Sequence, residues 1–163
     1  MCIRDSWHPD GDWEEVDGLA YKIHIHQALL VGEHVLVVGG AKNKPWEAYS
    51  PTGTQCESWL IDTTTFTRIS GGKMSTPREN LGLVKLNDGR VLALGGINES
   101  TPLKTSELWD PNTRTWSEGP TANSSMCYHT TTFLSDGRVL AIGGNTTEIW
   151  DPSIPVEDTE ESS

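Results

Sequence analysis

One stretch of the chain occurs twice: Leu86 to Gly96 reads LNDGRVLALGG and Leu134 to Gly144 reads LSDGRVLAIGG. Each copy reads as the end of a strand, a tight turn carried by Asp-Gly, a second strand of alternating apolar residues and a glycine pair that stops it. The pairs Gly95-Gly96 and Gly143-Gly144 lie 48 residues apart. An earlier pair, Gly39-Gly40, closes the run Val35-Leu36-Val37-Val38 a further 56 residues back. Three hairpins at about 50-residue spacing constitute an internal repeat. Such a chain buries its core between neighbouring units, so the number of units matters more than total length.

Charge narrows the partners. The 163 residues carry 12 basic and 23 acidic side chains, a net −11, with an isoelectric point near 4.7. That balance argues against a surface that tracks phosphates, and so against nucleic acid. No apolar run reaches the roughly 18 residues of a membrane span, and the first residues lack the pattern of a secretory signal. Met1-Cys2-Ile3-Arg4-Asp5-Ser6 reads as the translated end of a transposon adapter from a sequencing library, the alternative being an ordinary disordered start. As a scar it would mean that preceding sequence, a signal peptide or domain included, has been cut away. Without Cys2, Cys56 and Cys127 remain. Two cysteines are either a pair or two half-buried thiols, and the redox compartment stays open.

In chain order, Asp12 to Val16 reads as a short strand before the turn Asp17-Gly18, so residues 7–18 are expected to end a truncated preceding unit. Residues 19–70 make the first complete repeat: strands Ile23 to Val31 and His34 to Val38 about Gly32-Glu33, a long loop from Ala41 to Cys56, then strands Trp59 to Asp62 and Phe66 to Ile69. Residues 71–119 repeat the plan with strands Asn80 to Leu86, Arg90 to Leu94, Ser106 to Asp110 and Thr115 to Ser117, the last two joined by the turn Asp110-Pro111-Asn112-Thr113. Residues 120–153 start a third copy through Trp150-Asp151-Pro152. Where Trp116 follows Trp109 by seven residues, the position seven after Trp150 is Glu157, so no fourth strand is expected there. Residues 154–163 read as an acidic disordered tail.

Four short antiparallel strands per unit, units in line and little helical periodicity define an all-β fold, a partial β-propeller of about three four-stranded blades with the last incomplete. The glycine pair, the run ELWDPNTRTW from Glu107 to Trp116, and Arg78 or His129 ahead of the next DGRVL hairpin resemble the kelch repeat, especially its galactose-oxidase-like forms. The resemblance covers Trp13 to Pro152. The dipeptides Trp109-Asp110 and Trp150-Asp151, 41 residues apart, also match a WD-repeat signature. No Gly-His accompanies them, and both families are propellers. Trp109, Trp116 and Trp150 are expected to fill the wedges between blades. Gly39, Gly40, Gly95, Gly96, Gly143 and Gly144 are expected to let backbones turn and approach.

An up-and-down blade sends its first-to-second and third-to-fourth turns to one end, and its second-to-third loops and inter-blade connections to the other. The second set varies, from Ala41 to Cys56, through Ile97 to Thr105, to Asn145-Thr146-Thr147. Variable loops on a rigid scaffold are where binding resides. The candidate binding residues are Lys42, Lys44, Trp46 and Tyr49, with the strand-start residues Arg78, Asn80, Tyr128 and His129. Each has a plainer reading: Arg78 and His129 as ties between blades, Glu107 and Glu148 as solvated or inter-blade partners. His24 and His26 alternate on a strand and share a face that could hold a metal, but no further ligand is placed near them. Galactose-oxidase-like enzymes use a Tyr joined to a Cys. The adjacent Cys127-Tyr128 cannot supply that link, because neighbours on a strand face opposite ways.

No nucleophile elbow, phosphate loop or metal-spaced cysteine set is present. No cofactor and no catalytic residue are assigned. The expected function is a non-catalytic binding module for a protein or carbohydrate partner. The alternatives are a piece of a secreted galactose-oxidase-like copper oxidoreductase with its ligands elsewhere, and a substrate adaptor for a ubiquitin ligase. Sequons at Asn98, Asn123 and Asn145 tip an otherwise open location toward secretion. Expressed alone, the fragment is expected to self-associate through a raw blade face.

Overall fold

The computed structural model describes residues 5–7, 13–15, 23–42, 53–143 and 145–153. Asp5–Trp7 (β1) pairs antiparallel with Trp13–Glu15 (β2), so Asp5 and Ser6 of the suspected scar sit in a hairpin with the short strand read around Trp13. Ile23–His24 (β3), Gln27–Val31 (β4), His34–Val38 (β5), Ala41–Lys42 (β6), Glu57–Asp62 (β7) and Arg68–Lys73 (β8) follow. β4, β5, β7 and β8 form the first antiparallel four-stranded sheet, in the order β4-β5-β7-β8. Gly82–Lys85 (β9), Val91–Leu94 (β10), Ile97–Asn98 (β11), Thr101–Pro102 (β12), Ser106–Asp110 (β13) and Thr115–Glu118 (β14) come next. β9, β10, β13 and β14 repeat the first sheet's order, with β11 and β12 as a small hairpin in the second-to-third loop. Thr130–Phe133 (β15), Val139–Gly143 (β16) and Thr146–Trp150 (β17) make a three-stranded third sheet, and no helix occurs among the described residues.

The sheets stand side by side as blades. The first strands β4, β9 and β15 adjoin one another in sequence, and the outer strands β8 and β14 also touch. Two apolar clusters lie between blades. Leu36, Val38 and Leu60 of the first meet Met74, Leu81, Val91 and Trp109 of the second. Val84, Leu92 and Leu94 of the second meet Met126, Val139 and Ala141 of the third. This is the wedge packing expected of the tryptophans: Trp109 is 1% exposed, Trp116 packs against the first cluster and Trp150 against the second. The indole N–H groups of blade two reach into blade one, Trp109 Nε1 donating to Gly71 O at 2.7 Å and Trp116 Nε1 to Ser58 Oγ at 3.0 Å.

The glycine pairs have a specific task. Gly40 N donates to Arg78 O at 2.8 Å and Gly96 N to Met126 O at 2.7 Å, so each pair binds the lead-in segment of the next blade. Gly39 and Gly95 share φ near +63° and +62°, and their partners near +89° and +91°, a conformation that side chains rarely adopt. A Cβ on Gly39 or Gly95 would also collide with the carbonyl oxygen of Arg78 or Met126. Gly144 lies outside the described residues.

Four local expectations change. Ile23 to Val31 is not one strand: Ile25 adopts φ +57°, and β3 pairs with β6 and not with β5. His24 and His26 therefore do not share a strand face. The Asp-Gly turns are longer than a two-residue hairpin. Leu86 N donates to Arg90 O and Gly89 N to Leu86 O, with Gly89 alone left-handed, the geometry of a three-residue loop with a glycine bulge. The fourth strand of blade one is shifted from Phe66–Ile69 to Arg68–Lys73, because Phe66, at φ +54°, belongs to the turn. Thr146 and Thr147 stand in β17 rather than in a loop, since Gly143 pairs directly with Thr146.

Candidate recognition face at the loop end

All the short turns lie at one end of the blades and the connections at the other. The turn end is rigidified by repeated local bonds. Asp88 accepts from Arg90 N at 3.0 Å and Arg90 Nε at 2.7 Å, and Asp136 accepts from Arg138 N at 3.1 Å and Arg138 Nε at 2.9 Å. Asp62, Asp110 and Asp151 each accept a backbone N–H two residues on. Carboxylates committed to their own turns leave little at that end to recognise a partner.

Arg78 is an internal tie. Its side chain is 1% exposed; Nη1 donates to Gly95 O at 3.0 Å and Thr105 O at 2.8 Å, and Nη2 meets Glu107 Oε1 at 3.3 Å. Burial lowers its pKa from the ordinary value, and the charge and hydrogen bonds of Glu107 oppose that shift. Glu107 also accepts from Ser75 N at 2.7 Å and Thr76 N at 3.1 Å, locking the inter-blade connection onto β13. Glu148 does the same one blade on, accepting from Asn123 N and Ser124 N, both at 2.8 Å. Burial raises the Glu148 pKa, but those bonds outweigh it and hold the group below the usual carboxylate range. Both glutamates are thus inter-blade partners.

His129 does not stand where Arg78 does. The glycine-pair bonds put Arg78 in register with Met126, so His129 matches Leu81, three residues later. It occupies an apolar wedge, 7% exposed, with neither ring nitrogen hydrogen-bonded to protein, and burial lowers its pKa from 6.5. Asn80 is also 7% exposed, and its backbone N–H donates to Ile25 O at 3.2 Å across the first pair of blades.

Tyr128 is different. It is 68% exposed at φ +53°, in register with Ile25 (φ +57°, 44% exposed) and Asn80 (φ +52°). Three blades therefore enter their innermost strands through the same left-handed residue, an arrangement that costs each non-glycine residue energy. Beside this row stands the β11–β12 hairpin, where Glu99 and Ser100 are left-handed and Thr101 and Pro102 exposed. Sequence reading missed Ile25 and this hairpin; the common spacing of Ile25, Asn80 and Tyr128 from the glycine pairs was the available signal. Lys42 is placed in β6, while Lys44, Trp46 and Tyr49 lie outside the described residues. Cys56 and Cys127 are free and half-buried. Among the described residues, no group of three or more His, Cys, Asp or Glu could hold a metal ion, and no helix is long and apolar enough to cross a membrane.

Known proteins agree with this architecture. The Kelch motif family matches residues 87–123, from the Asp-Gly turn of blade two to the connection that follows it. An F-box/kelch-repeat protein of Arabidopsis thaliana is 25% identical over 126 residues, which is 77% of this chain. The chain spans 28% of that relative's length. Taken with the repeated four-stranded sheets and the glycine pairs that bind each next blade, these matches identify the chain as a kelch-repeat protein, folded as a partial β-propeller.

Proposed function

We propose that the chain is a non-catalytic interaction module that recognises a protein partner through its loop end. The observation that carries this is Tyr128, a large aromatic held two-thirds exposed on an unfavourable left-handed backbone beside the variable β11–β12 loop. Strain retained at an exposed aromatic is of no use to the core, and aromatics are enriched among residues that anchor interfaces. The predicted loop residues Lys42, Lys44, Trp46 and Tyr49 extend the same face in this reading; Arg78, Asn80 and His129 support it from beneath.

The test is a screen of the chain against arrays of immobilised proteins and of immobilised glycans, repeated with Tyr128→Gly and with Trp46→Ala. Protein ligands are expected, lost or weakened at least tenfold in both variants, while Asn112→Ala at the turn end leaves them intact. Ligands bound equally by all variants, or found only among the glycans, would refute the reading. A second reading, a substrate adaptor for ubiquitin ligation, draws on the relative's name, which joins kelch repeats to an F-box. There the same face would hold the substrate, and recruitment would belong to another domain.

A further inference from the structure

The edge of the third blade is a second docking site, distinct from the loop end. In blade two, β14 flanks β13, and Trp116 stands in register with Trp109. The Trp116 ring lies over Gly72, its Cδ1 3.6 Å from where a Cβ would be, with Met74 buried nearby at 3% exposure. In the next wedge the 48-residue register puts Pro120 in place of Gly72 and Ala122 in place of Met74, and Trp150 takes the place of Trp109. No described residue takes the place of Trp116, and β17 carries no further strand among the described residues. What remains is a cleft of about 180 Å³ lined by Pro120, Ala122, Ile149 and Trp150, with Glu148 at its side.

The chain's own continuation is a poor occupant. Seven residues after Trp150 comes Glu157, followed by Asp158, Glu160 and Glu161, which would bring carboxylates toward an apolar cleft that already holds Glu148. A second copy, also at −11, is repelled by the same charge. We infer that the cleft and the β17 edge take an extended segment of a separate, basic polypeptide, which adds as an outer strand and seats one aromatic side chain against Trp150. Strand addition supplies main-chain hydrogen bonds, and the cleft supplies side-chain choice. Basic flanks complement the acidic chain.

The probe is a fluorescein-labelled peptide with the sequence of residues 112–120 carrying Glu118→Lys, so that the strand filling this place in blade two is offered in trans to the whole chain. Saturable one-to-one binding is expected by anisotropy, weakened at least tenfold when the peptide carries Trp116→Glu. Filling the cleft with Ala122→Met should weaken it equally without lowering the protein's melting temperature. The peptide arm changes nothing in the protein and stands by itself if that variant misfolds. No binding, equal binding of both peptides, or undiminished binding to a folded Ala122→Met protein would overturn the inference. So would a dimer, seen by sedimentation, that Ala122→Met abolishes and the peptide does not displace.

Discussion

Arg78 and Glu107 form an ion pair at 3.3 Å with side chains only 1% and 4% exposed, and between them they hold a blade's lead-in segment to its third strand. The guanidinium also satisfies the carbonyls of Gly95 and Thr105, while the carboxylate caps two backbone N–H groups. Breaking such a pair leaves an uncompensated buried charge, which costs far more than an exposed pair contributes.

Arg78→Ala is therefore expected to destabilise the fold by about 3–5 kcal/mol. Glu107→Gln should cost less, since an amide oxygen still accepts from the backbone N–H groups. Urea unfolding of both variants, with the double variant closing the cycle, measures the coupling. Additive effects would show that the pair is not a unit.

Trp109→Ala removes the largest buried side chain of the first wedge together with its bond to Gly71, for an expected loss of about 3–5 kcal/mol. Trp150→Ala should cost clearly less, because Trp150 is only half-buried. Calorimetric or denaturant midpoints give the order, and equal losses would contradict the difference between the wedges.

Glycine requirements differ by position in a way that substitution separates. Gly96 and Gly89 share φ values of +91° and +89°, but a Cβ on Gly96 would lie 2.6 Å from Glu79 O, while on Gly89 its nearest neighbour is Pro111 Cγ at 4.0 Å. Gly89→Ala then carries only the left-handed penalty of about 1–2 kcal/mol, and Gly96→Ala should exceed it. Comparable melting temperatures for the two would show that the backbone approach is unimportant.

His129 gives a pH dependence with a defined sign. Burial lowers its folded pKa below the ordinary 6.5, so the unfolded chain binds the proton more readily. Its contribution is full above pH 6.5, declines as pH falls below that value, and stops changing once the folded pKa has been passed. His129→Leu, which copies the residue that blade two carries at this register, Leu81, should flatten that part of the stability curve. A parallel curve for the variant would assign the slope to other groups, beginning with His26, whose pKa burial also lowers.

The repeat was legible because its signals are local. Asp-Gly turns, alternating strands and glycine pairs each act within a few residues, and they gave the sheets, their order and the wedge role of Trp109. The recognition face was less legible because its determinants are not local. Arg78 and His129 look equivalent by their distance ahead of a hairpin, yet the bonds from Gly40 and Gly96 set them three residues out of register. Ile25 lay hidden in an apparently continuous apolar strand, for nothing in Ile-His-Ile-His signals a left-handed residue. The cleft beside Trp150 shows only when Ala122 is set against Met74, a comparison that requires the blades to be superposed in register.

Blades packed side by side, through tryptophans that bond across the wedge, are what the whole architecture depends on. Nuclear Overhauser contacts from the two indole N–H protons test this most directly. Cross-peaks are expected from Trp109 Hε1 to the α-protons of Gly71 and from Trp116 Hε1 to the β-protons of Ser58. A chain with full β-sheet content whose indole protons contact only their own sheet would contradict the inter-blade packing.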